Sequence, residues 1–495
     1  MTVRLLLIGD AGTGKTYYLY NKAKEFDECV FVSHTNAAIN EFRRRDRDRA
    51  IEARTLHSLC LSLVRKRHGV KVMDDEVRAT FCEKVGLHYD PNPYVHSPAK
   101  EFFSLHSLYV NLTRPPLDRF CEHYKVDYEK FSTLLAEYEK FKRERGYVDF
   151  EDMLELALQA DEKIHTQAVI VDEAQDLSPL QWKVIDAIFE ADILIAAGDD
   201  MQSIFSFQGA RPELFLSFSN RVKVLKRNYR IPKKLWDFAG LVIKEQLRRE
   251  RSKPVDESKE GTLRVLKPTT FEEAVNYVAA HRSGLVVVRH NRYCLLLEEL
   301  FKKAGVRVNL VKRDGFNWNA INIDTVHAVK GMEHERVFVL DAVRRASHPE
   351  EEDRIWYTAL TRAKRELHVV PILGETNWVT SKLPEDALVQ ELTSDWQKVP
   401  PARHSNVTLT ITVHAPPHSS SLVAASAVLA PPPEVTDPLA STACTPPTVT
   451  ARVHTSTSTE VSEIPNVAVT PTLDPPEKKK EKGILKSILS IFRKR

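Results

Sequence analysis

The sequence predicts an α/β protein: two tandem units with parallel sheets, a helical insertion in the first, and a disordered C-terminal tail. Three observations carry this reading. Short apolar runs alternate with helix-compatible segments, the pattern of a parallel sheet with crossover helices. The run Leu5-Leu6-Leu7-Ile8 feeds directly into Gly9-Asp10-Ala11-Gly12-Thr13-Gly14-Lys15-Thr16, which opens a helix-compatible stretch from Tyr17 to Lys24. Beyond about Pro400 the composition shifts to Pro, Ser, Thr, Ala and Val with few charges, and such a segment cannot bury a core.

The first unit spans residues 1–58 and 147–221, interrupted at 59–146 by a helical stretch punctuated at Pro91, Pro93, Pro98 and Pro115-Pro116. Its expected strands lie at 5–8, 29–33, 53–55, 168–171 and 193–197. The second unit, 222–375, is expected to open on a strand at 222–225. It continues through strands at 263–265, 285–288, 306–308, 321–323, 337–340 and 367–370. A short extension (376–400), a Pro/Ser/Thr-rich linker (401–476) and a basic amphipathic helix (477–495) complete the chain.

A chain of 495 residues suggests two to four domains. Charged residues make up 28% but the net charge is only +3, so no global basic field announces a nucleic-acid ligand; a local groove would have to hold one. Six cysteines without a C-x-x-C pair argue for reduced thiols, no zinc and a reducing compartment. The phosphate-loop strand begins at the N-terminus, which leaves no space for a signal peptide, and no apolar run approaches the roughly 20 residues that span a bilayer. A soluble, cytoplasmic monomer is expected.

The spacing G-x-x-x-x-G-K-[ST] has a mechanical reason. Its glycines let backbone N–H groups of Gly9, Asp10, Ala11, Gly12, Thr13 and Gly14 curl round phosphates, Lys15 reaches the β/γ oxygens, and the Thr16 hydroxyl ligands Mg²⁺. Asp172 follows the strand Ala168-Val169-Ile170-Val171, in position to hold Mg²⁺ from the outer shell opposite Thr16. Glu173 beside it is placed to orient and deprotonate an attacking water.

Six motifs in order resemble the series of the UvrD/Rep/PcrA helicases of superfamily 1A: Gly9 to Thr16, Asp172-Glu173-Ala174-Gln175-Asp176, Gly198-Asp199-Asp200-Met201-Gln202-Ser203-Ile204-Phe205, Asn228-Tyr229-Arg230, Thr325 to Glu333, and Tyr357-Thr358-Ala359-Leu360-Thr361-Arg362-Ala363. Weaker echoes are Thr35-Asn36-Ala37-Ala38, Thr55-Leu56-His57-Ser58 and Val148-Asp149-Phe150-Glu151-Asp152. The resemblance covers roughly residues 1 to 373 and implies two RecA-like P-loop domains. It implies that ATP and Mg²⁺ are the cofactors, that Gln202 senses the γ-phosphate, and that Arg230 and Arg362 act as arginine fingers from the second domain. It also implies that Glu333, after Gly331, contacts the ribose and that Tyr229 stacks on adenine. Tyr17 stands where the family often has an arginine on the other adenine face; an aromatic sandwich and plain helix packing both remain open for it.

On the nucleic-acid side, Phe205 and Phe207 resemble the family's base-stacking Tyr and Trp, while Asn36, His57 and His327 would be phosphate or base contacts. His34 replaces the usual phenylalanine and Gln208 the usual arginine. The family's glutamine motif precedes the P-loop and this chain starts too late to hold it, so relaxed base preference is expected. Fewer than a hundred residues separate Arg230 from Thr325, where larger members insert a further helical domain. A compact motor follows, with translocation more secure than autonomous duplex separation.

Ile484, Leu485, Ile488, Leu489, Ile491 and Phe492 share one helical face behind Lys478-Lys479-Lys480. Three readings of this tail stay open: a helix on an anionic membrane, a degenerate sliding-clamp peptide at Lys486, Leu489 and Phe492, or a docking or frayed end. For the whole chain the expectation is an ATP-dependent single-stranded DNA translocase or helicase, 3′ to 5′ by resemblance, in replication, repair or recombination. The alternatives are a nucleotide-switched recruitment module tethered by its tail, and a motor directed at RNA.

Overall fold

The computed structural model describes residues 2–383 apart from 34, 47–50, 68, 248, 257–258 and 344–347, and leaves out the side chains of 37, 66 and 67. His34, the part of the expected extension beyond 383, the linker 401–476 and the amphipathic helix 477–495 therefore lie outside the described residues.

Leu5, Leu6 and Leu7 are apolar in succession because their strand is covered on both faces, as parallel sheets require. That strand, β1 (Val3–Gly9), is followed by β2 (Cys29–Ser33) and β3 (Glu52–Thr55). A two-residue pair, β4 (Lys71–Val72) and β5 (Tyr147–Val148), brackets the insertion. The main sheet resumes with β6 (Ile164–Asp172), β7 (Phe189–Gly198) and β8 (Val222–Leu225), giving the order β3-β2-β6-β7-β1-β8, all parallel. Register places Ser33 opposite Asp172 and Ile8 opposite Gly198, so the phosphate loop and both acidic loops leave the sheet along one edge. Ligands of open parallel sheets gather there.

One expected boundary is corrected. The strand at 222–225 does not open the second unit; it pairs with β1, Gly9 opposite Leu225, as the edge of the first sheet. None of Val222, Lys223, Val224 and Leu225 is fully buried, as suits an edge strand with one open flank.

The second half starts with a short parallel pair, β9 (Arg227–Asn228) and β10 (Lys253–Pro254). It then builds β11 (Thr262–Val265), β12 (Gly284–Val288), β13 (Val308–Leu310), β14 (Ile321–Thr325), β15 (His334–Asp341) and β16 (Ala363–Pro371). The order is β11-β16-β15-β12-β14-β13, again all parallel. β13 begins two residues later than its apolar run suggests. Gly305, at φ 69°, ends the helix Asn291–Lys303, and the Val306 N–H is spent on Phe301 O at 2.9 Å. The chain is thus two tandem α/β halves, each a six-stranded parallel sheet.

Between β3 and β5 lie the helices Leu56–Arg67, Asp75–Lys84, Pro98–Asn111, Leu117–Tyr124 and Tyr128–Arg145. They close on buried Phe81, Phe102, Phe131, Tyr138 and Phe141. Beneath these rings the Lys142 ammonium is buried 2.8 Å from both Asp149 Oδ2 and Asp152 Oδ1. Burial works against both charges, yet the pair overcomes it: Asp149 is held below the ordinary carboxylate range and Lys142 above its own. Breaking one side of a buried pair strands the other. Lys142→Met is therefore expected to lower the unfolding free energy by about 3–5 kcal/mol, read from the urea midpoint; an unchanged midpoint would contradict the pairing.

Candidate nucleotide site between the two sheets

The phosphate loop turns on two glycines at positive φ, Gly12 (79°) and Gly14 (76°), before the helix Lys15–Ala23 begins. A side chain at Gly12 would be strained twice over, because its Cβ would fall 2.6 Å from Asn228 Oδ1 and 3.0 Å from Arg230 Cβ. The reason is a docked partner. Asn228 Nδ2 donates to Ala11 O at 3.1 Å, and Tyr229 N–H donates to Gly12 O at 2.9 Å. The Asn228-Tyr229-Arg230 motif is thus stitched to two backbone carbonyls of the loop.

Thr16 Oγ1 lies 3.3 Å from Asp172 Oδ2, so hydroxyl and carboxylate share one point at the end of β6. Burial, then the adjacent Glu173, push Asp172 up to about 7. Desolvation also opposes the charge of the half-buried Glu173, but Lys15 and Lys330 outweigh it and hold Glu173 below its ordinary range. Its backbone sits at φ 54°, a left-handed conformation that costs a non-glycine residue about 1 kcal/mol or more. Gln175 Nε2 donates to Glu173 Oε2 at 2.7 Å, while Gln175 Oε1 accepts Asp199 N–H at 3.1 Å. The two acidic loops are thereby locked together.

From the other half, Arg362 is 3% exposed and donates Nη2 to Gln202 Oε1 at 3.0 Å. Burial, then the like charge of Arg230, lower it to about 10. Arg230 pairs with Glu333 at 2.5 Å and donates to Thr361 O at 3.3 Å. Burial opposes the charge on Glu333, but Arg230 and Lys364 keep it below the ordinary range. Lys15, Glu173 and Gln202 of one half and Arg230, Glu333 and Arg362 of the other line a single cleft of about 1210 Å³. Gly331, Tyr17 and Tyr229 line it too, both rings well exposed, with Arg45 5.9 Å from the Tyr17 ring centroid.

Some expected residues occupy other roles. The Asp10 carboxylate is 1% exposed and engaged with Arg249 and Ser252, so Asp10 offers the cradle only its backbone. Phe205 is 9% exposed, wedged between Lys330 and His327. Phe207 is more open and meets the His327 ring at 5.3 Å. Desolvation, with Arg289, Lys312 and Lys330 nearby, lowers the His327 pKa well below its ordinary value. Asn36 is exposed at the start of the helix Asn36–Arg45, and His57 packs edge-on against exposed Phe150 at 5.6 Å.

Several residues at the site have no role in the sequence reading. Gln175 is one. Lys330 is another, donating to Asp176 Oδ2 and to Gln202 O, each at 2.5 Å. Both sit inside the quoted motifs, where their buried partners were the missing information. Exposed Trp318 lines the cleft and stacks on His334, and Arg249 binds Asp10; no motif marks either.

Fold and cleft together define a P-loop protein with two RecA-like halves. Residues 1–223 match the UvrD/REP helicase N-terminal domain and residues 320–370 the UvrD-like helicase C-terminal domain, together more than half of the chain. The chain belongs to the UvrD/PcrA-like superfamily 1A helicases. It is 24% identical over 357 residues to the ATP-dependent DNA helicase PcrA of Bacillus subtilis, covering 62% of this chain and 48% of PcrA. It is 33% identical over 137 residues to the ATP-dependent DNA helicase UvrD2 of Mycobacterium tuberculosis, covering 24% of this chain and 19% of that relative. The chain thus spans about half or less of the length of these relatives.

The crowding at Gly12 yields a direct test. Gly12→Ala is expected to dislodge the Asn228–Arg230 loop, lower the melting temperature by a few degrees and weaken binding of a fluorescent ATP analogue by about tenfold or more. Retained affinity would show that the two halves are not stitched at this point.

Proposed function

We propose that this chain is a Mg²⁺-dependent ATPase that moves along single-stranded DNA, with 3′ to 5′ polarity, in replication, repair or recombination. The observation that carries the proposal is the composition of one cleft: Lys15, Glu173 and Gln202 from the first half face Arg230 and Arg362 from the second. A nucleotide switch has no need for two guanidiniums supplied across a seam. A hydrolytic engine does, because phosphoryl transfer depends on positioning and on neutralising charge spread over the transferring group.

The roles follow from the contacts. Backbone N–H groups of Gly9 to Gly14 and the Lys15 ammonium would hold the phosphates. Thr16 and Asp172 supply oxygen donors 3.3 Å apart, a set that suits a hard divalent cation, and the buried, charge-strained Asp172 is the kind of acid such an ion relieves. Thr16 and Asp172 would hold Mg²⁺, which would supply positive charge to offset that of the phosphates. Glu173, ionised and oriented by Gln175, would accept the proton of the attacking water. Arg362 already bonds Gln202, so γ-phosphate sensing and one finger form a unit. Arg230 would exchange Glu333 for the phosphates when Glu333 turns to the ribose. The rings of Tyr229 and Tyr17 stand open for the base.

Coupling to the strand would run through Gln202. Lys330 binds its carbonyl and lies over Phe205, which neighbours Phe207 and His327. Loss of the γ-phosphate would thereby shift the rings on which bases stack, at about 1–3 kcal/mol per base.

ATP hydrolysis measured with and without single-stranded DNA tests the whole reading. Stimulation is expected. Glu173→Gln should abolish turnover while ATP still binds, and Arg362→Ala should lower kcat by about 10³-fold or more. Hydrolysis indifferent to DNA and RNA alike would overturn the motor, and stimulation by RNA alone would redirect it.

A further inference from the structure

One buried carboxylate of the phosphate loop has no part in the chemistry above. Asp10 Oδ1 lies 2.5 Å from Arg249 Nη1, and Asp10 Oδ2 accepts the Ser252 N–H at 2.6 Å. Both partners belong to the segment that runs into β10, where the chain crosses from one sheet to the other. Arg249 Nη2 also meets Asp200 at 2.9 Å and Asp199 at 3.4 Å. A single, largely buried guanidinium thus serves three buried carboxylates, two on the acidic loop after β7 and one on the phosphate loop itself.

The crossing holds more than Asp10. β10 pairs with β9, which carries Asn228, and Asn228 and Tyr229 bond Ala11 O and Gly12 O. Three consecutive loop residues, Asp10, Ala11 and Gly12, are therefore each tied to the crossing. Without Arg249, Lys15 alone would offset Asp199, and Asp10 and Asp200 would lose their ion-pair partner beside a loop built to receive a polyanion. Opposing charges at this range attract more strongly in a partly buried site than in open water.

We infer that Arg249 is a positioning residue for the triphosphate: it cancels carboxylate charge behind the phosphate loop and fixes the shape of that loop to the segment that crosses between the two sheets. The inference rests on the nucleotide reading of the cleft. Arg249 touches no reacting atom in it; the effect passes through Asp10 and the acidic loop. Affinity for the triphosphate is then set partly by a side chain from the crossing.

Titration of the full chain with the fluorescent analogue mant-ATP, alongside thermal melts, tests this. Arg249→Met is expected to weaken binding by about tenfold or more. Arg249→Lys, which keeps the charge but loses the fork, should retain most of the affinity. In Asp10→Asn/Arg249→Met one of the stranded charges is gone, and binding should recover toward that of the natural chain. A purely architectural arginine would lose equal affinity as Lys and as Met and would not be rescued by Asp10→Asn, which would overturn the inference. Should Arg249→Met alone fail to fold, the lysine variant and the rescued double variant decide the same question. A natural chain that does not bind mant-ATP would instead overturn the nucleotide reading itself.

Discussion

The structure depends on a concentration of buried charge at the seam between two sheets. Asp10, Asp172, Glu173, Asp176, Asp199 and Asp200 crowd the carboxyl edge of the first sheet, all but Glu173 nearly inaccessible to water. Such a set is intolerable unless cations are placed among it. Among the described residues the first half supplies Lys15. The others come from beyond β8: Arg249 to Asp10, Asp199 and Asp200, Lys330 to Asp176, and Arg362 beside Glu173. Neutralising the acids of one half with bases of the other holds the halves in register, and the same arrangement leaves a cleft with guanidiniums on its far wall.

Backbone devices make that arrangement specific. Gly12 lets the Asn228–Arg230 loop approach to hydrogen-bonding distance, and Glu173 bears a left-handed conformation that aims its carboxylate past the end of β6. Gln175, with no exposed surface, spans from Glu173 to the backbone of Asp199. Movement in one acidic loop is thus felt in the other. The Gln202 carbonyl and side chain are held separately by Lys330 and Arg362, which makes this residue the junction between the nucleotide cleft and the ring cluster of Phe205, Phe207 and His327.

The ring cluster differs from a simple stacking platform. Phe205 is consumed by packing, so a base would meet Phe207 and the neutral imidazole of His327. The insertion approaches the same region, since a Cβ on Gly209, two residues past Phe207, would lie 3.3 Å from Asn111 at the end of the helix Pro98–Asn111. Asn111 and Gly209 thus come together in space although nearly a hundred residues separate them in the chain.

Much of this was legible in the residues. The strand–loop–helix at Gly9 to Thr16, the acidic ends of β6 and β7 and the alternating apolar runs are local patterns, written within a dozen residues each, and local spacing is what a sequence displays directly. That Lys15, Glu173, Gln202, Arg230 and Arg362 would meet in one cleft was implied by the resemblance of the motif series, and all five line the cleft between the two sheets. What remained hidden depends on partners far apart in sequence. The strand at 222–225 reads equally well in either sheet until β1 is seen to need an edge partner. Asp10 reads as a phosphate-loop residue until Arg249, more than two hundred positions away, claims its carboxylate. The sequence by itself determined which chemistry the chain carries, because that chemistry is encoded in short contiguous spacings. Only the tertiary structure decided which charges neutralise which, because burial pairs groups by distance in space and the order of residues does not reveal that distance.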